Sequence, residues 1–289
     1  MIIVRIWEGL GNQLFQYAYA RALQERLDKS VYLDVRHCNR GDMPFEKEDI
    51  VKRKWGLQNF NVSLKCISTA KVPFLHCLDG KNCIMHAEYT LMRKGMWIWN
   101  WVDDENRMEQ LCQDIMDPED NTYVSAHCLN KGYYQNARVI LLNELRPKRR
   151  VMLNRTLADM LRSENSVSVH IRLTDYLRNP KAICSQEYYD HAVQYIKERV
   201  TDPCFIIFSD NPYMAKARYK FEGDIYWIEK DEYKDYEALM IMSRCRHNII
   251  AESTFSYWGA WLNQNPEKIV VASRKWYQGN MYDKGWKVF

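Results

Sequence analysis

The chain has 289 residues, 47% of them hydrophobic and 27% charged, with 41 basic and 37 acidic side chains for a net charge of +4. That is core material for one large or two smaller domains, and so balanced a charge excludes a nucleic-acid-binding stripe. No run reaches the ~20 continuous apolar residues of a membrane span, and Met1-Ile2-Ile3-Val4-Arg5 lacks the pattern of a secretory signal, so a cytoplasmic protein is expected. Nine cysteines with no CxxC pair fit reduced thiols.

In chain order, an apolar strand is predicted over Ile2–Trp7, followed by a turn with Gly9 and Gly11 and a helix over Gln13–Asp28, where Leu14, Phe15, Ala18, Ala22, Leu23 and Leu27 recur at helical spacing. A second strand follows at Val31–Val35. Strand, glycine turn, helix and strand together open a nucleotide-binding type of α/β unit. From Gly41 to Asp120 no periodicity holds. Trp97, Trp99 and Trp101 share one strand side there, either as packing or as a platform for an acceptor sugar. Asp103-Asp104-Glu105 lacks the spaced Asp-x-Asp form of a metal-diphosphate site and reads as a solvated loop. His76, Cys77, Cys83 and His86 fit no standard zinc spacing, so no metal is expected.

The run Arg146-Pro147-Lys148-Arg149-Arg150 breaks both periodicities and reads as a linker, dividing the chain into 1–150 and 151–289. Beyond it, strands predicted at Val167–Ile171, Cys204–Ser209, Ile225–Ile228, Asn248–Ala251 and Ile269–Ala272 alternate with helices at about Gln186–Arg199, Tyr213–Tyr219, Tyr236–Met242 and Phe255–Leu262. That alternation builds a parallel sheet with right-handed crossovers. Three polar clusters sit at or just past strand ends: His170-Ile171-Arg172, Ser209-Asp210-Asn211 and Glu252-Ser253-Thr254. Ligands of open parallel sheets bind at those carboxyl ends. A guanidinium such as Arg172 matches phosphate bidentately, and Ser253 and Thr254 precede a helix whose N-terminus attracts anions. The alternatives are a surface ion pair for Arg172 and plain capping for Ser253-Thr254.

The same residues carry a resemblance. Gly9-Leu10-Gly11-Asn12-Gln13-Leu14-Phe15-Gln16-Tyr17-Ala18, Gly132-Tyr133-Tyr134-Gln135, His170-Ile171-Arg172-Leu173-Thr174-Asp175-Tyr176, Phe208-Ser209-Asp210-Asn211 and the run from Ala251 to Leu262 resemble, in order, motifs of the bacterial α-1,2-fucosyltransferases of glycosyltransferase family 11. The resemblance implies a glycosyltransferase-B-like α/β fold, with two Rossmann-like domains facing a cleft. The N-terminal domain would hold the acceptor and the C-terminal one the GDP-sugar. It implies metal-independent, inverting transfer of fucose from GDP-fucose, needing no cofactor, to the 2-hydroxyl of a terminal β-galactoside in a surface glycan.

Carried over by position, His170 and Asp210 would contact the guanosine. Arg172 would hold the β-phosphate of the leaving GDP. Ser253, Thr254 and Phe255 would line the diphosphate pocket, and Asn12 would reach it from the other domain. Asp175 is the candidate base, with Glu8 and Glu252 as further candidates. The partners would be GDP-fucose and a galactose-terminated or lipid-linked glycan, the latter met by peripheral contact with the inner membrane face. Departures from the family pattern are Leu173 for an arginine, Asn211 for an aspartate, Glu252 for an asparagine and Tyr257 for a tryptophan. They keep open a transferase with another GDP-sugar or acceptor, or a carbohydrate-binding protein without turnover.

Overall fold

The computed structural model describes residues 1–35, 38, 54–67, 100–104, 111–163, 165–174, 183–274 and 281–289. The chain divides into two compact units, Met1–Arg146 and Pro147–Phe289, with the division inside the proline-containing basic run.

In the first unit, strand β1 (Ile2–Arg5) leads into helix α1 (Leu10–Leu27), and strands β2 (Val31–Asp34), β3 (Asn100–Asp103) and β4 (Thr122–Ser125) follow. All pair in parallel, in the spatial order β2-β1-β4-β3. β1 stops two residues earlier than its apolar pattern predicts, because Glu8 takes a left-handed backbone with φ 65° and turns the chain into α1. The helix is buried on more than the single face its spacing predicts: Gln13 and Gln16 are enclosed along with Leu14, Phe15, Tyr17 and Tyr19. Enclosing Gln13 is affordable because its amide is satisfied, donating to the Glu8 and Lys54 carbonyls (2.8 and 2.9 Å) and accepting from Gly56 N–H (2.9 Å). Short helices α2 (Gln113–Met116) and α3 (Arg138–Glu144) and three 3-10 turns are also described in this unit. β3 begins within the stretch whose alternating tryptophans suggest a strand, and β4, only four residues long, escapes the sequence reading.

The second unit opens with α4 (Arg155–Arg162). It continues through β5 (Ser166–Ile171), α5 (Gln186–Lys197), β6 (Cys204–Ser209), α6 (Pro212–Arg218), β7 (Asp224–Trp227), α7 (Asp235–Arg244), β8 (His247–Ile249), α8 (Thr254–Leu262), β9 (Val270–Ala272) and β10 (Lys287–Val288). The six strands are parallel, in the order β10-β9-β8-β5-β6-β7. β5 reads Ser-Val-Ser-Val-His-Ile and is buried along its length, as a central parallel strand must be. Val167, Val169, Ile171, Phe205 and Ile207 form the core with Tyr188, Tyr189, Ala192 and Ile196 of α5. Gly259 lets α8 lie close on α7: a Cβ there would stand 2.9 Å from Met242 Cβ.

Among the described residues the seven cysteines are free, and no helix is long and apolar enough to cross a membrane.

Candidate active site

β5 is the first strand of the second sheet. Its successors β6 and β7 lie on one side of it and β8, β9 and β10 on the other. Chain order therefore reverses between β5 and β8, and a crevice opens beyond the carboxyl ends of strands at such a reversal. Ile171 pairs with Ser209 and Val169 with Ile249, which puts Arg172, Asp210 and Glu252 in the row just past the sheet edge.

Arg172 and Asp210 form an ion pair, Nη1 to Oδ2 at 3.3 Å, with side-chain exposures of 21% and 14%. The same carboxylate anchors the chain leaving β5. Its Oδ1 accepts from Leu173 N–H (3.0 Å), and its Oδ2 accepts from Thr174 N–H (2.9 Å) and from the Thr174 hydroxyl. Burial works against this charge, but Arg172 and the Thr174 and Leu173 bonds outweigh it and hold the carboxyl below its usual range. Asp210 thus fixes the turn from which Arg172 projects.

His170, 5% exposed, is kept neutral by burial and by the Arg172 charge, with its pKa pushed down to about 3. Its Nδ1 has no partner among the described residues, and its ring lies 5.7 Å from that of Phe255. A buried, neutral imidazole nitrogen without a partner among the described residues suits a polar ligand.

Ser253 caps α8: its hydroxyl accepts from Phe255 N–H at 3.3 Å, and the first turn, Thr254 and Phe255 included, starts at the crevice edge. That turn's N–H groups and the helix dipole favour an anion. Glu252 bears on this. A carboxylate here would repel a diphosphate, yet it is buried and accepts from the Ser273 hydroxyl (2.9 Å), just past β9. Leu173, where the family pattern has an arginine, is a core residue with 0% exposure. Asp175 and Tyr176 lie outside the described residues, as do Trp97, Trp99, His76, Cys77, Cys83 and His86.

In the first unit Asn12 sits in the first turn of α1, its amide donating to the Glu8 carboxylate. Trp101 stacks on Tyr123 (5.1 Å, 17°) and donates from Nε1 to Asp103 (2.9 Å). The acidic run expected to be solvated is corrected at Asp104, which is 4% exposed and hydrogen-bonded to His127 and Cys128, because β3 carries it into the unit. His127 went unread, although it follows the strand-like Tyr123-Val124-Ser125-Ala126 just as His170 and Asp210 close their own strands. Among the described residues no three His, Cys, Asp or Glu side chains are arranged to hold a metal ion. A surface depression of about 950 Å³ lined by Asp159, Lys197, Asp202 and Asp224 lies at the opposite, amino-terminal edge of the second sheet and has no part in this site.

Residues 1–287 match the profile described as Glycosyl transferase family 11. The chain belongs to glycosyltransferase family 11. Relatives within reach of it include the O-antigen biosynthesis glycosyltransferase WbnK of Escherichia coli, 29% identical across 96% of this chain and 95% of that protein. An alpha-1,2-colitosyltransferase of Escherichia coli is 28% identical across 96% and 93%. Among solved structures, a variant of Arabidopsis thaliana FUT1 in complex with GDP superposes with a TM-score of 0.51 at 12% identity, covering 94% of this chain and 70% of that one. This family 11 member is therefore a glycosyltransferase with a glycosyltransferase-B-like fold of parallel α/β sheets.

Proposed function

We propose that this family 11 member moves L-fucose from GDP-fucose to the 2-hydroxyl of a terminal β-galactoside in a surface glycan, inverting C1 and using no metal ion. The observation that carries the reading is the switch-point site of the second unit. Arg172 is fixed by Asp210 beside the capped N-terminus of α8, with a neutral, unpartnered His170 nitrogen alongside. The departing nucleotide is a diphosphate, and the largest demand on the enzyme is to stabilise its growing charge. A guanidinium and a helix tip meet that demand without a metal ion. In this scheme Arg172 takes the β-phosphate, Ser253, Thr254 and Phe255 line the diphosphate, His170 meets the nucleoside, and Asp210 holds Arg172. The GDP held by the Arabidopsis protein and the α-1,2 linkage named for the colitosyltransferase both support the reading.

That relative also favours a second donor. Colitose differs from fucose by the hydroxyl at C3, so GDP-colitose is the alternative on the same site. Incubating the protein with GDP-fucose, GDP-colitose, GDP-mannose or UDP-sugars, each with a set of β-galactosides, and analysing product linkage decides between them. Fucose on the galactose 2-hydroxyl, formed equally in EDTA, is expected. Transfer only from a UDP-sugar, or transfer lost in EDTA and restored by Mn²⁺, contradicts the scheme.

A further inference from the structure

The first sheet has a switch point of its own. β1 lies between β2, which follows it in the chain, and β4, so chain order reverses between β1 and β4. Glu8 follows β1, His127 follows β4 and Asp104 follows β3, all at the carboxyl edge. The three side chains form a line. Asp104 accepts from the His127 and Cys128 N–H groups (2.8 and 3.1 Å) and stands 3.2 Å from His127 Nδ1. His127 Nε2 is 3.6 Å from Glu8 Oε1, and the other Glu8 oxygen accepts from Asn12 Nδ2. Exposure rises along the line, from 5% for the Asp104 side chain through 21% for His127 to 39% for Glu8.

Two further observations set the cluster apart from a structural ion pair. Glu8 (φ 65°) and Cys128 (φ 57°) both hold left-handed backbone that non-glycine residues rarely adopt, and such strain gathers at functional sites. Buried polar atoms around the cluster also lack partners among the described residues: Trp7 Nε1, Asn12 Oδ1 and Gln16 Nε2. Gln16 is 0% exposed, and its other amide atom accepts from Trp7 N–H at 3.0 Å. Open donors and acceptors beside an indole, whose ring lies 4.6 Å from that of His127, suit a ligand with hydroxyls on an apolar ring, which is a sugar.

We propose that this cluster is the subsite for the acceptor hydroxyl, in which Glu8 takes the hydroxyl proton and His127 and Asp104 are the positioning residues that hold its carboxylate. The proposal rests on the transferase reading above. In the step, the acceptor oxygen bonds to C1 of the donor sugar and the C1–O bond to the diphosphate breaks. Its electron pair leaves on GDP, and the hydroxyl proton passes to Glu8. His127 acts here as a cation. Burial opposes its charge, but the hydrogen bond to Asp104 and the nearby Glu8 carboxylate prevail and its pKa stands at about 9. Both ring nitrogens then donate, one towards each carboxylate. The charged groups facing it are Glu8 from the end of β1 and Asp104 from the end of β3, with the Arg5 guanidinium 4.8 Å over the Trp7 ring.

The test uses the full chain in two arms. In the first, methyl β-galactoside is titrated alone while the His127 imidazole is followed by NMR; a saturable shift of its signals is expected. In the second, GDP-fucose and a β-galactoside are supplied. Glu8→Gln should lower transfer by at least about 100-fold, with circular dichroism unchanged. His127→Gln should lower kcat more than it changes KM and move the alkaline limb of the kcat–pH profile away from about pH 9. A His127 signal unmoved by saturating galactoside overturns the proposal. So does transfer by Glu8→Gln within about threefold of the unmodified chain, or a loss confined to Asp175→Asn. If the unmodified chain transfers nothing from GDP-fucose, the donor reading falls and the galactoside arm still decides the subsite.

Discussion

Both units place polar side chains where chain order reverses in a parallel sheet, but they arrange opposite charges there. In the second unit the edge between β5 and β8 carries a guanidinium beside a helix tip, with Asp210 spent on anchoring the turn. In the first unit the edge between β1 and β4 carries two carboxylates around one imidazole. In the proposed scheme the same topology serves a diphosphate in one sheet and an acceptor hydroxyl in the other, because side chains at the strand ends and not the fold decide the chemistry.

The change that should break the comparison hardest is Arg172→Ala. Losing a preorganised charge on the leaving group commonly costs about 3–4 kcal/mol of barrier, so turnover should drop at least about 100-fold while the melting temperature stays near that of the unmodified protein. Near-normal turnover would remove Arg172 from its role. Stability against pH separates the units next. His127 has a folded pKa raised from 6.5 to about 9, so its contribution is complete below about pH 6.5 and is lost as pH rises through 9. That contribution is at most about 3 kcal/mol. Urea unfolding of the unmodified protein should weaken over that interval, whereas His127→Gln should show little slope there. A slope unchanged by the substitution would mean another group titrates. A smaller effect is expected from Asp210→Asn, which sets an amide N–H₂ against the donors of Arg172 and Thr174. The turn should loosen and the KM for the GDP-sugar rise roughly tenfold, about 1.4 kcal/mol, with the fold kept. An unchanged KM would show that Arg172 holds its place without Asp210.

The contrast also explains what could be read from the residues alone. Strands of the second unit alternate with helical patterns and end on polar residues, so His170, Arg172, Asp210 and Ser253 mark their ends in the sequence, and β6 falls on the predicted Cys204–Ser209. The first unit hides its site. β3 and β4 are only four residues each, and Asp104 looks like one of a solvated acidic run until β3 carries it inward. Glu8 stands in the sequence as one candidate base among three, and its φ and the company of His127 set it apart. Glu252 is the converse: beside the donor site it reads as a repulsive charge, and its bond to Ser273 depends on β8 and β9 being neighbours.

The central claim is that a fixed arginine and the start of α8 receive the diphosphate. A crystal structure of the protein with GDP tests it most directly. The account predicts the β-phosphate within hydrogen-bond reach of the Arg172 guanidinium and of the N–H groups that open α8, with His170 Nδ1 turned to the nucleotide. A diphosphate bound away from both Arg172 and Ser253 would contradict it.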